Sequence, residues 1–345
     1  MERILSEYDI VIVGAGPAGC VTAKFLNNDY KVLLVDWSKL PRDKPCGGVL
    51  VEESKEFLNN FFGKIPVHIF SYPKTLDIIY SDFDNDFEVL EKRNFFNISR
   101  QSFDYWLLKN VEKAQIAAET KLVDFEQKVD HVKIMLEKNN KKFFVKSKYL
   151  IGADGALSLV RSKIFDISIR RYVAFQEWFN TDFNIKNLVF IYDSSINDYY
   201  SWIIPKGNFL LIGLAINSHD DAESKIKLLK EKIFKKYKIS GNASKKEGAV
   251  SLRPQSSLDC TLGKGRVLLV GEAAGLVSPA SGEGISFALR SGYNCAKALN
   301  ANFKNGLIEY KKLCQNLLDE IETKIKRAKI LSNPIKRLAL LKNLG

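Results

Sequence analysis

The chain has 345 residues, of which 46% are hydrophobic and 27% are charged, so it is long enough to bury a large core in two lobes. The formal net charge of +12 favours an acidic partner, but because no nucleic-acid-binding motif is found, we expect no nucleic acid. No apolar run reaches the ~18 residues of a transmembrane helix, and the first strand begins almost at once, which predicts a cytoplasmic protein without a signal peptide. Five scattered cysteines and three widely spaced histidines predict neither disulfides nor a metal site.

The first predicted element is a strand that leads into a glycine-rich turn. The apolar, mostly β-branched run Ile10–Val13 suits a strand buried on both faces of a parallel sheet. The turn has the spacing G-x-G-x-x-G and opens a helix that includes Cys20–Leu26, whose N-terminus offers N–H groups to a pyrophosphate. A second strand, Lys31–Val35, ends at an acid placed to bind ribose hydroxyls. The pattern predicts a dinucleotide site; a glycine-rich turn in another kind of α/β protein is the alternative. The predicted contacts are Gly14, Gly16, Pro17, Ala18, Gly19 and Asp36.

Loops, strands and helices of less regular pattern follow. Prolines and glycines indicate a loop over Trp37–Gly48, and a short helix is predicted over Glu52–Phe62. Alternating apolar and polar residues predict antiparallel strands within Ser71–Leu90, and Ser99 is placed to cap a helix. Further strands are predicted at Val123–Gln127, His131–Leu136 and Lys142–Val145.

Two more apolar strands lead into turns that contain glycine. Tyr149–Ile151 precedes Gly152-Ala153-Asp154-Gly155, and Arg266–Val270 precedes Gly271-Glu272-Ala273-Ala274-Gly275. Residues 166–250 between them are predicted to be mostly antiparallel strands, interrupted by an amphipathic helix over Asp221–Lys238. Helices are predicted from there to the end of the chain.

The sheet-rich insertions divide an α/β domain into three pieces. We predict an α/β fold in which a Rossmann-like cofactor domain, residues 1–60, 92–165 and 250–300, is interleaved with an antiparallel-sheet substrate domain, residues 61–91 and 166–249. C-terminal helices over residues 301–345 complete the predicted organisation.

The three strand-to-glycine junctions indicate a cofactor that is held along its whole length. On these motifs the sequence resembles the FAD-dependent oxidoreductases that include aromatic hydroxylases and geranylgeranyl reductases. The resemblance implies non-covalent FAD, with its ADP part at the first junction and its pyrophosphate beside Asp154 and Gly155. It implies that Glu272, where the family usually has Asp, bonds ribityl or ribose hydroxyls. The other FAD contacts that it implies are Lys44, Cys46, Arg100, Gly271, Gly282, Gly284 and Ile285.

Two further motifs narrow this resemblance. Pro41–Gly48 matches the P-x-x-K-x-C-G-G motif typical of geranylgeranyl reductases, and Tyr200–Lys206 resembles their Y-x-W-x-F-P-K, with Ile204 in place of Phe. The second stretch also resembles the W-x-W-x-I-P motif of flavin-dependent halogenases, with Tyr200 in place of the first Trp. The halogenase resemblance lacks a matching Cys-Gly-Gly loop and therefore ranks second.

The Cys-Gly-Gly loop supplies the candidate catalytic residues. Gly47 and Gly48 allow the backbone to approach an isoalloxazine ring closely, and Cys46 beside them is a candidate proton donor. An unperturbed thiol with a pKa of about 8.5 is mostly protonated at neutral pH. The alternative is a buried structural cysteine.

The second motif supplies the candidate substrate-binding residues. Tyr200 and Trp202 are two apart, so on a strand they face the same side and form a flat apolar floor for an alkene or an aromatic ring. The alternative is an ordinary sheet core. Pro205 is predicted to end this strand, and Lys206 to meet a phosphate, a flavin oxygen or water.

The resemblance implies an FAD-dependent oxidoreductase that reduces carbon–carbon double bonds of an isoprenoid or prenylated lipid by hydride transfer from reduced flavin. The alternatives are an FAD-dependent monooxygenase or halogenase that acts on an aromatic substrate, and an FAD electron carrier. Because no second dinucleotide motif is present, NADPH would bind transiently as reductant, or ferredoxin would serve.

The C-terminal segment Thr323–Gly345 is basic and amphipathic. Pro334 predicts a break between two short helices. Together with a lipid substrate, this composition suggests peripheral contact with an anionic membrane. The alternative is that the leucines pack on the protein and the lysines are solvated.

Overall fold

The chain forms two sheets, each of eight strands, in the ranges that the structure describes, which are residues 4–180, 183–217 and 219–344. The structure is a computed structural model. The strands are β1 (Glu7–Val13), β2 (Val32–Val35), β3 (Val49–Leu50), β4 (Phe70–Asp82), β5 (Phe87–Ile98), β6 (Gln115–Ala117), β7 (Thr120–Gln127), β8 (Val132–Lys138), β9 (Lys141–Gly152), β10 (Arg171–Asn180), β11 (Leu188–Tyr192), β12 (Ser201–Lys206), β13 (Phe209–Asn217), β14 (Ala243–Leu252), β15 (Gly263–Lys264) and β16 (Val267–Leu269). The α-helices are α1 (Pro17–Phe25), α2 (Glu52–Phe61), α3 (Arg100–Lys109), α4 (Leu159–Ile164), α5 (Ala222–Tyr237), α6 (Ile285–Ala301), α7 (Gly306–Leu313), α8 (Gln315–Leu331) and α9 (Pro334–Lys342).

The chain divides into two compact units, each built on one sheet. The first unit contains the residues up to Asp43 together with Gln101–Ile169 and Pro254–Thr323, and the second contains Lys44–Arg100, Arg170–Arg253 and the residues from Lys324 on. The sequence prediction placed residues 44–60 and 92–100 in the first domain. They belong to the second unit because β3 pairs with the end of β5. The predicted C-terminal piece, residues 301–345, is likewise divided between the two units.

The first unit has a parallel sheet with an antiparallel extension. Its parallel strands lie in the order β16, β9, β1, β2 and β6, while β8 pairs with β9 and β7 with β8 in antiparallel register. The sequence predicted two strands, Lys142–Val145 and Tyr149–Ile151, where the structure has the single strand β9. The polar residues between them broke the apolar pattern, but Ser147 is buried and pairs with both Tyr8 and Val132. This strand therefore joins the two parts of the sheet.

Helices α1 and α6 pack closely together in the first unit. A Cβ added at Gly292 of α6 would lie 2.5 Å from the carbonyl oxygen of Ala18 in α1. The Thr22 hydroxyl lies 2.8 Å from that carbonyl oxygen and 3.2 Å from the carbonyl oxygen of Gly292. This contact fixes α1, and with it the glycine-rich turn from which α1 begins.

The second unit has a mostly antiparallel sheet in the strand order β14, β10, β13, β12, β11, β4, β5 and β3, with only the β11–β4 pair parallel among these neighbours in the described residues. One face of the sheet packs against α5, which confirms the amphipathic helix predicted over Asp221–Lys238. The core on that face includes Phe179, Val189, Ile191, Ile203, Ile212 and Leu214 of the strands and Ile226, Leu229 and Ile233 of α5. The alternate residues of the same strands point to the opposite face.

The C-terminal helix α9 is bound to the second unit by a buried ion pair. The Arg337 side chain donates to both carboxylate oxygens of Asp82 at 2.9 and 2.8 Å and to Asp84 at 2.6 Å. Pro334 is the first residue of α9 and follows the end of α8, as predicted. Most apolar residues of the segment are at least partly buried, whereas Ile335 is 80% exposed. No helix in the described part of the chain combines the length and the apolar character needed to cross a bilayer.

Candidate active site

The glycine-rich turn of the first unit has no room for a side chain at Gly14 or at Gly19. Gly14 follows β1 with φ of +108°, and a Cβ there would lie 2.3 Å from the carbonyl oxygen of Ala153. A Cβ at Gly19 would lie 1.9 Å from the carbonyl oxygen of Gly14. Pro17 occupies the first turn of α1, where its missing N–H costs no hydrogen bond. The backbone is thus shaped for close approach to a phosphate at the N-terminus of a helix, as the sequence predicts for a dinucleotide.

Asp36 is buried at the end of β2 and braces this turn. Its carboxylate accepts the N–H of Ala15 at 2.8 Å and the N–H of Ser38 at 2.9 Å, together with the Ser38 hydroxyl. Arg42 lies 3.6 Å from the same carboxylate and 4.0 Å from Asp104. Sequence reasoning missed Arg42, although it lies within the Pro41–Gly48 motif. A small cavity adjoins these groups and is lined by Ala15, Leu40, Pro41, Arg42, Asp104, Tyr105 and Leu108.

The second and third junctions are connected by a buried arginine. Arg161, at the centre of α4, donates to the carbonyl oxygens of Glu272 at 3.2 Å and Ala273 at 3.0 Å. Asp154 accepts the Ser158 hydroxyl at 2.6 Å and the N–H of Val160 at 3.2 Å, so its carboxyl group helps to begin α4. Burial raises the pKa of Asp154 above its usual value, against the lowering effect of these hydrogen bonds. This predicted FAD residue therefore shapes the junction itself.

The remaining cofactor candidates of the first unit lie at the third junction and at the start of α6. Gly271 has φ of +58°, and its N–H donates to the Ser291 hydroxyl at 2.9 Å. Gly284 immediately precedes α6, and Ile285 is its first residue. Gly155 and Gly282 both have positive φ values, +77° and +63°. Their contacts with FAD stay predictions.

The second unit holds the Cys-Gly-Gly loop against its sheet. A Cβ at Gly47 would lie 2.8 Å from Cδ1 of Ile204, and one at Gly48, where φ is +61°, would lie 2.3 Å from the carbonyl oxygen of Ile98. The N–H of Gly48 contacts the Cys46 sulfur at 3.4 Å. Gly48 is thus required for the loop to lie this close to the sheet, whereas a side chain at Gly47 would have to displace the end of the Ile204 side chain. The loop also places a thiol beside an N–H donor.

Lys206 is buried and fastens this loop. Its ammonium group donates to the carbonyl oxygens of Gly48 at 3.1 Å and Ile98 at 2.9 Å. Burial lowers the pKa of Lys206 to about 7; the negative charge of the Cys46 thiolate partly opposes this effect, and the positive charge of Arg100 adds to it. The sequence predicted that Lys206 meets a phosphate, a flavin oxygen or water, whereas its hydrogen bonds in the structure go to the Gly48 carbonyl of the loop and to the Ile98 carbonyl at the end of β5. Sequence reasoning missed this role because nothing local indicates a partner 158 residues away.

Cys46 lies in an electropositive environment. Burial raises its pKa, but the charge and hydrogen bond of Arg100, the N–H of Gly48 and the charge of Lys44 together outweigh burial and leave the pKa below the ordinary thiol value. Arg100 is itself buried and is the first residue of α3. Lys44 and Arg100, both predicted to contact FAD, therefore also stabilise a Cys46 thiolate.

Tyr200 and Trp202 share one face of the second sheet, as predicted, and their ring centroids lie 5.8 Å apart. Trp202 pairs with Phe190 on β11 and with Gly213 on β13. A Cβ at Gly213 would lie 2.4 Å from the Trp202 ring, so this glycine makes room for the indole. The position was missed, although a glycine inside a strand is a signal of close packing.

Pro205 does not end its strand, which corrects the sequence prediction. It pairs with Leu210, and β12 continues through Lys206. A proline has no backbone N–H, and it is tolerated at this position because the pairing of β12 with β11 extends only to Ile203. No described residue on the β11 side therefore needs a hydrogen bond from position 205. The Pro205 carbonyl oxygen accepts the Asn97 side chain at 2.9 Å.

Comparison with known proteins decides the family. The FAD binding domain family matches residues 7–309, which is most of the chain. This protein belongs to the FAD binding domain family. Protein CbrA of Escherichia coli O6:H1 is 28% identical over 339 residues, covering 96% of this chain and 92% of that protein. Protein CbrA of Shigella sonnei is 30% identical over 293 residues, covering 83% of this chain and 82% of that protein.

Solved structures share the fold of this FAD-family protein at low sequence identity. A geranylgeranyl bacteriochlorophyll reductase-like protein from Thermoplasma acidophilum superimposes with a TM-score of 0.83 at 20% identity, over 96% of this chain and 90% of that one. p-Nitrophenol 4-monooxygenase PnpA from Pseudomonas putida gives 0.76 at 18% identity, over 99% and 94%. The flavin-dependent halogenase CmlS gives 0.72 at 18% identity, over 93% and 64%. The expected Rossmann-like FAD fold with an antiparallel-sheet domain is confirmed.

In the described residues, no group of three or more His, Cys, Asp or Glu side chains could hold a metal ion. The structure does bring together hydrogen-bond donors at the first junction, where the tight turn and the N-terminus of α1 offer backbone N–H groups. These groups suit a pyrophosphate. The residues therefore fit FAD, as expected of a member of the FAD binding domain family.

Proposed function

We propose that this protein reduces carbon–carbon double bonds of an isoprenoid or a prenylated lipid. The observation that carries the proposal is the arrangement of the second unit, where a thiol of lowered pKa lies in a glycine loop that packs on the sheet bearing Tyr200 and Trp202. Bound, reduced FAD supplies the hydride for such a reaction. The protein must then bind an apolar chain, exclude water and deliver one proton to the second alkene carbon.

Cys46 is the proposed proton donor. The positive charges of Arg100 and Lys44 lower the pKa of the Cys46 thiol and so favour the release of its proton. Gly48 donates its N–H to the sulfur and so stabilises the thiolate left after proton transfer. Lys206 acts one step away, because it holds the Gly48 carbonyl in place.

Tyr200, Trp202 and Phe190 form the proposed floor for the isoprenoid chain. The Tyr200 ring lies 4.8 Å from that of Phe190 and 5.8 Å from that of Trp202. Burial raises the pKa of Tyr200 well above its ordinary value, so this side chain stays neutral and does not compete with Cys46 as an acid near neutral pH. Packed aromatic rings of this kind suit an apolar, unsaturated chain.

The experiment that tests this function is an anaerobic incubation of the reduced, FAD-loaded protein with geranylgeranyl diphosphate, followed by mass spectrometry of the product. The proposal expects a product that has gained pairs of hydrogen atoms. Oxygen or halogen incorporated into an aromatic substrate in air would instead support the monooxygenase or halogenase alternative, to which the solved-structure neighbours also belong. Electron delivery to a protein without small-molecule turnover would support the electron carrier.

We also propose that the reducing equivalents come from transiently bound NADPH or from ferredoxin. The sequence contains one G-x-G-x-x-G junction, and its predicted ligand is the ADP part of FAD. Stopped-flow reduction of the bound flavin by each donor separates the two sources.

A further inference from the structure

The indole N–H of Trp202 is buried without a hydrogen-bond partner among the described residues. The whole side chain is only 7% exposed, and its Nε1 atom is shielded from solvent. A buried donor without an acceptor costs about 1–3 kcal/mol, so most such groups in folded proteins are paired. Trp202 is part of the proposed substrate floor, so an unpaired indole N–H at this place needs a physical reason.

A second tryptophan on the same face of the sheet has an indole N–H that is hydrogen-bonded within the protein. Trp178 pairs with Leu211, two residues before Gly213 on β13, and therefore shares the face of Trp202. Its Nε1 donates to a Glu247 carboxylate oxygen at 2.8 Å. The Gln176 amide donates to the same oxygen at 2.5 Å. Trp178 is thus paired by the protein, and Trp202 is not.

The sheet is shaped to hold the Trp202 indole where it is. Gly213 lies directly opposite Trp202, and any side chain there would come within 2.4 Å of the six-membered ring and 2.5 Å of the carbon next to Nε1. The position thus keeps the indole flat against β13. A glycine in the middle of a strand weakens the strand, and this cost is justified if the indole has a binding role.

We propose that Trp202 Nε1 donates a hydrogen bond to an oxygen atom of the substrate. The inference rests on the proposed function for the position of the ligand on the aromatic face. It deepens that function by naming the substrate class: an isoprenoid that carries an oxygen acceptor, as in an alcohol, ether, ester or carbonyl compound, in preference to a hydrocarbon. An acceptor that pairs a buried donor improves binding by about tenfold or more, since 1.4 kcal/mol corresponds to a factor of ten.

The test uses FAD-loaded protein labelled with ¹⁵N in its four tryptophans, Trp37, Trp106, Trp178 and Trp202. Single Phe variants assign the four indole N–H signals. The protein is titrated with geranylgeraniol and with the matching tetraene hydrocarbon, and separately with benzyl alcohol and toluene. Binding is followed by the flavin absorbance and by the indole signals.

We expect geranylgeraniol to move the Trp202 N–H proton signal downfield, to leave the Trp178 signal in place and to bind at least tenfold more tightly than the hydrocarbon. W202F keeps an aromatic ring but removes the donor, and it should reduce this preference to about threefold or less. W178F should keep the preference and lower stability, because it removes a donor from Glu247. If W202F does not fold, the signal shift in the unmodified protein decides.

The outcomes separate this inference from the proposed function. Geranylgeraniol that binds without moving the Trp202 signal, and whose preference survives in W202F, would overturn the donor role while leaving isoprenoid binding intact. Benzyl alcohol that binds with the shift while both isoprenoid compounds fail would support the donor role and contradict the isoprenoid substrate. Binding by no member of either pair would contradict both.

Discussion

Lys206 donates a hydrogen bond to the Gly48 carbonyl oxygen across 3.1 Å, and this contact joins the two sequence motifs that resemble those of geranylgeranyl reductases. One motif supplies the thiol and the other supplies the aromatic face, and the lysine of the second motif fixes the loop of the first. Its second acceptor, the Ile98 carbonyl oxygen at 2.9 Å, belongs to β5. The buried ammonium is therefore a positioning group for Cys46.

The first prediction concerns the pH dependence of stability. Burial lowers the pKa of Lys206 to about 7 in the folded protein, against about 10.4 in an unfolded chain. Between these values the unfolded state binds more protons, so the free energy of unfolding should rise with pH from about 7 to about 10. Urea unfolding gives the free energy of unfolding of the parent and of Lys206→Met at each pH. The difference between the two free energies should increase in favour of the parent across this window and be constant below it.

Cys46 also has a lowered pKa and contributes with the same sign, so both proteins in this comparison should carry Cys46→Ser. A difference that is independent of pH between 7 and 10 would show that Lys206 titrates as an ordinary lysine and does not hold the loop as a buried group.

The second prediction concerns the proton donor. Cys46→Ser should keep the FAD spectrum and the rate of flavin reduction but slow substrate turnover by at least tenfold, in line with general-acid contributions of ~10²–10⁴. Cys295→Ala, which alters a buried thiol of α6, is the matched control and should leave turnover unchanged. Equal turnover in Cys46→Ser and the parent would reduce Cys46 to a packing residue.

The third prediction concerns the packing of the Trp202 indole against Gly213. Gly213→Ala places a methyl group 2.4 Å from the ring and should displace it, lowering substrate affinity by tenfold or more with FAD content unchanged. Gly248→Ala on β14 of the same sheet is the control, because its nearest neighbour would lie 3.6 Å away. Ligand titration of both variants checks this, and equal affinities would mean that the indole position does not matter for binding.

The fourth prediction concerns the membrane contact proposed for the C-terminal segment. Ile335 is 80% exposed and is followed by Lys336, whereas Arg337 is buried against Asp82. If α9 docks on an anionic membrane, Ile335→Ser should weaken salt-sensitive sedimentation with phosphatidylserine vesicles, since an apolar side chain and about 1 kcal/mol per basic residue would contribute. The melting temperature should not change.

Truncation of the segment is the wrong variant for this question, because loss of the Arg337 ion pair would leave Asp82 buried without its partner, at a cost of about 3–5 kcal/mol. If the intact protein never sediments with the vesicles, the membrane contact is contradicted and the exposed lysines are simply solvated.

The sequence predicted the elements whose signals are local. The strand, glycine turn and helix of Tyr8–Gly19 follow from backbone sterics, and the face shared by Tyr200 and Trp202 follows from the two-residue period of a strand. Contacts made across long stretches of chain were not predictable. Nothing local to Lys206 or Arg337 indicates that each is buried on partners far away in the sequence.

The predicted domain bounds and the predicted division of β9 into two strands were wrong for related reasons. The short strand Val49–Leu50 joins the second sheet only through its partner β5, and a two-residue strand leaves no periodic pattern to read. In β9, buried Ser147 between two lysines resembles a turn until both of its neighbouring strands are known. Pairing partners, which single-sequence patterns do not reveal, decided both cases.

The most direct test of the reductase function is whether an isoprenoid alkene can reoxidise the flavin without oxygen. The FAD-loaded protein is reduced with dithionite under anaerobic conditions and mixed with geranylgeranyl diphosphate, with geranylgeranyl diphosphate and no protein as the blank. We predict that the oxidised flavin spectrum returns and that one pair of hydrogen atoms appears in the lipid for each flavin reoxidised. A flavin that stays reduced until air is admitted, with the lipid unchanged, would contradict the proposed reduction.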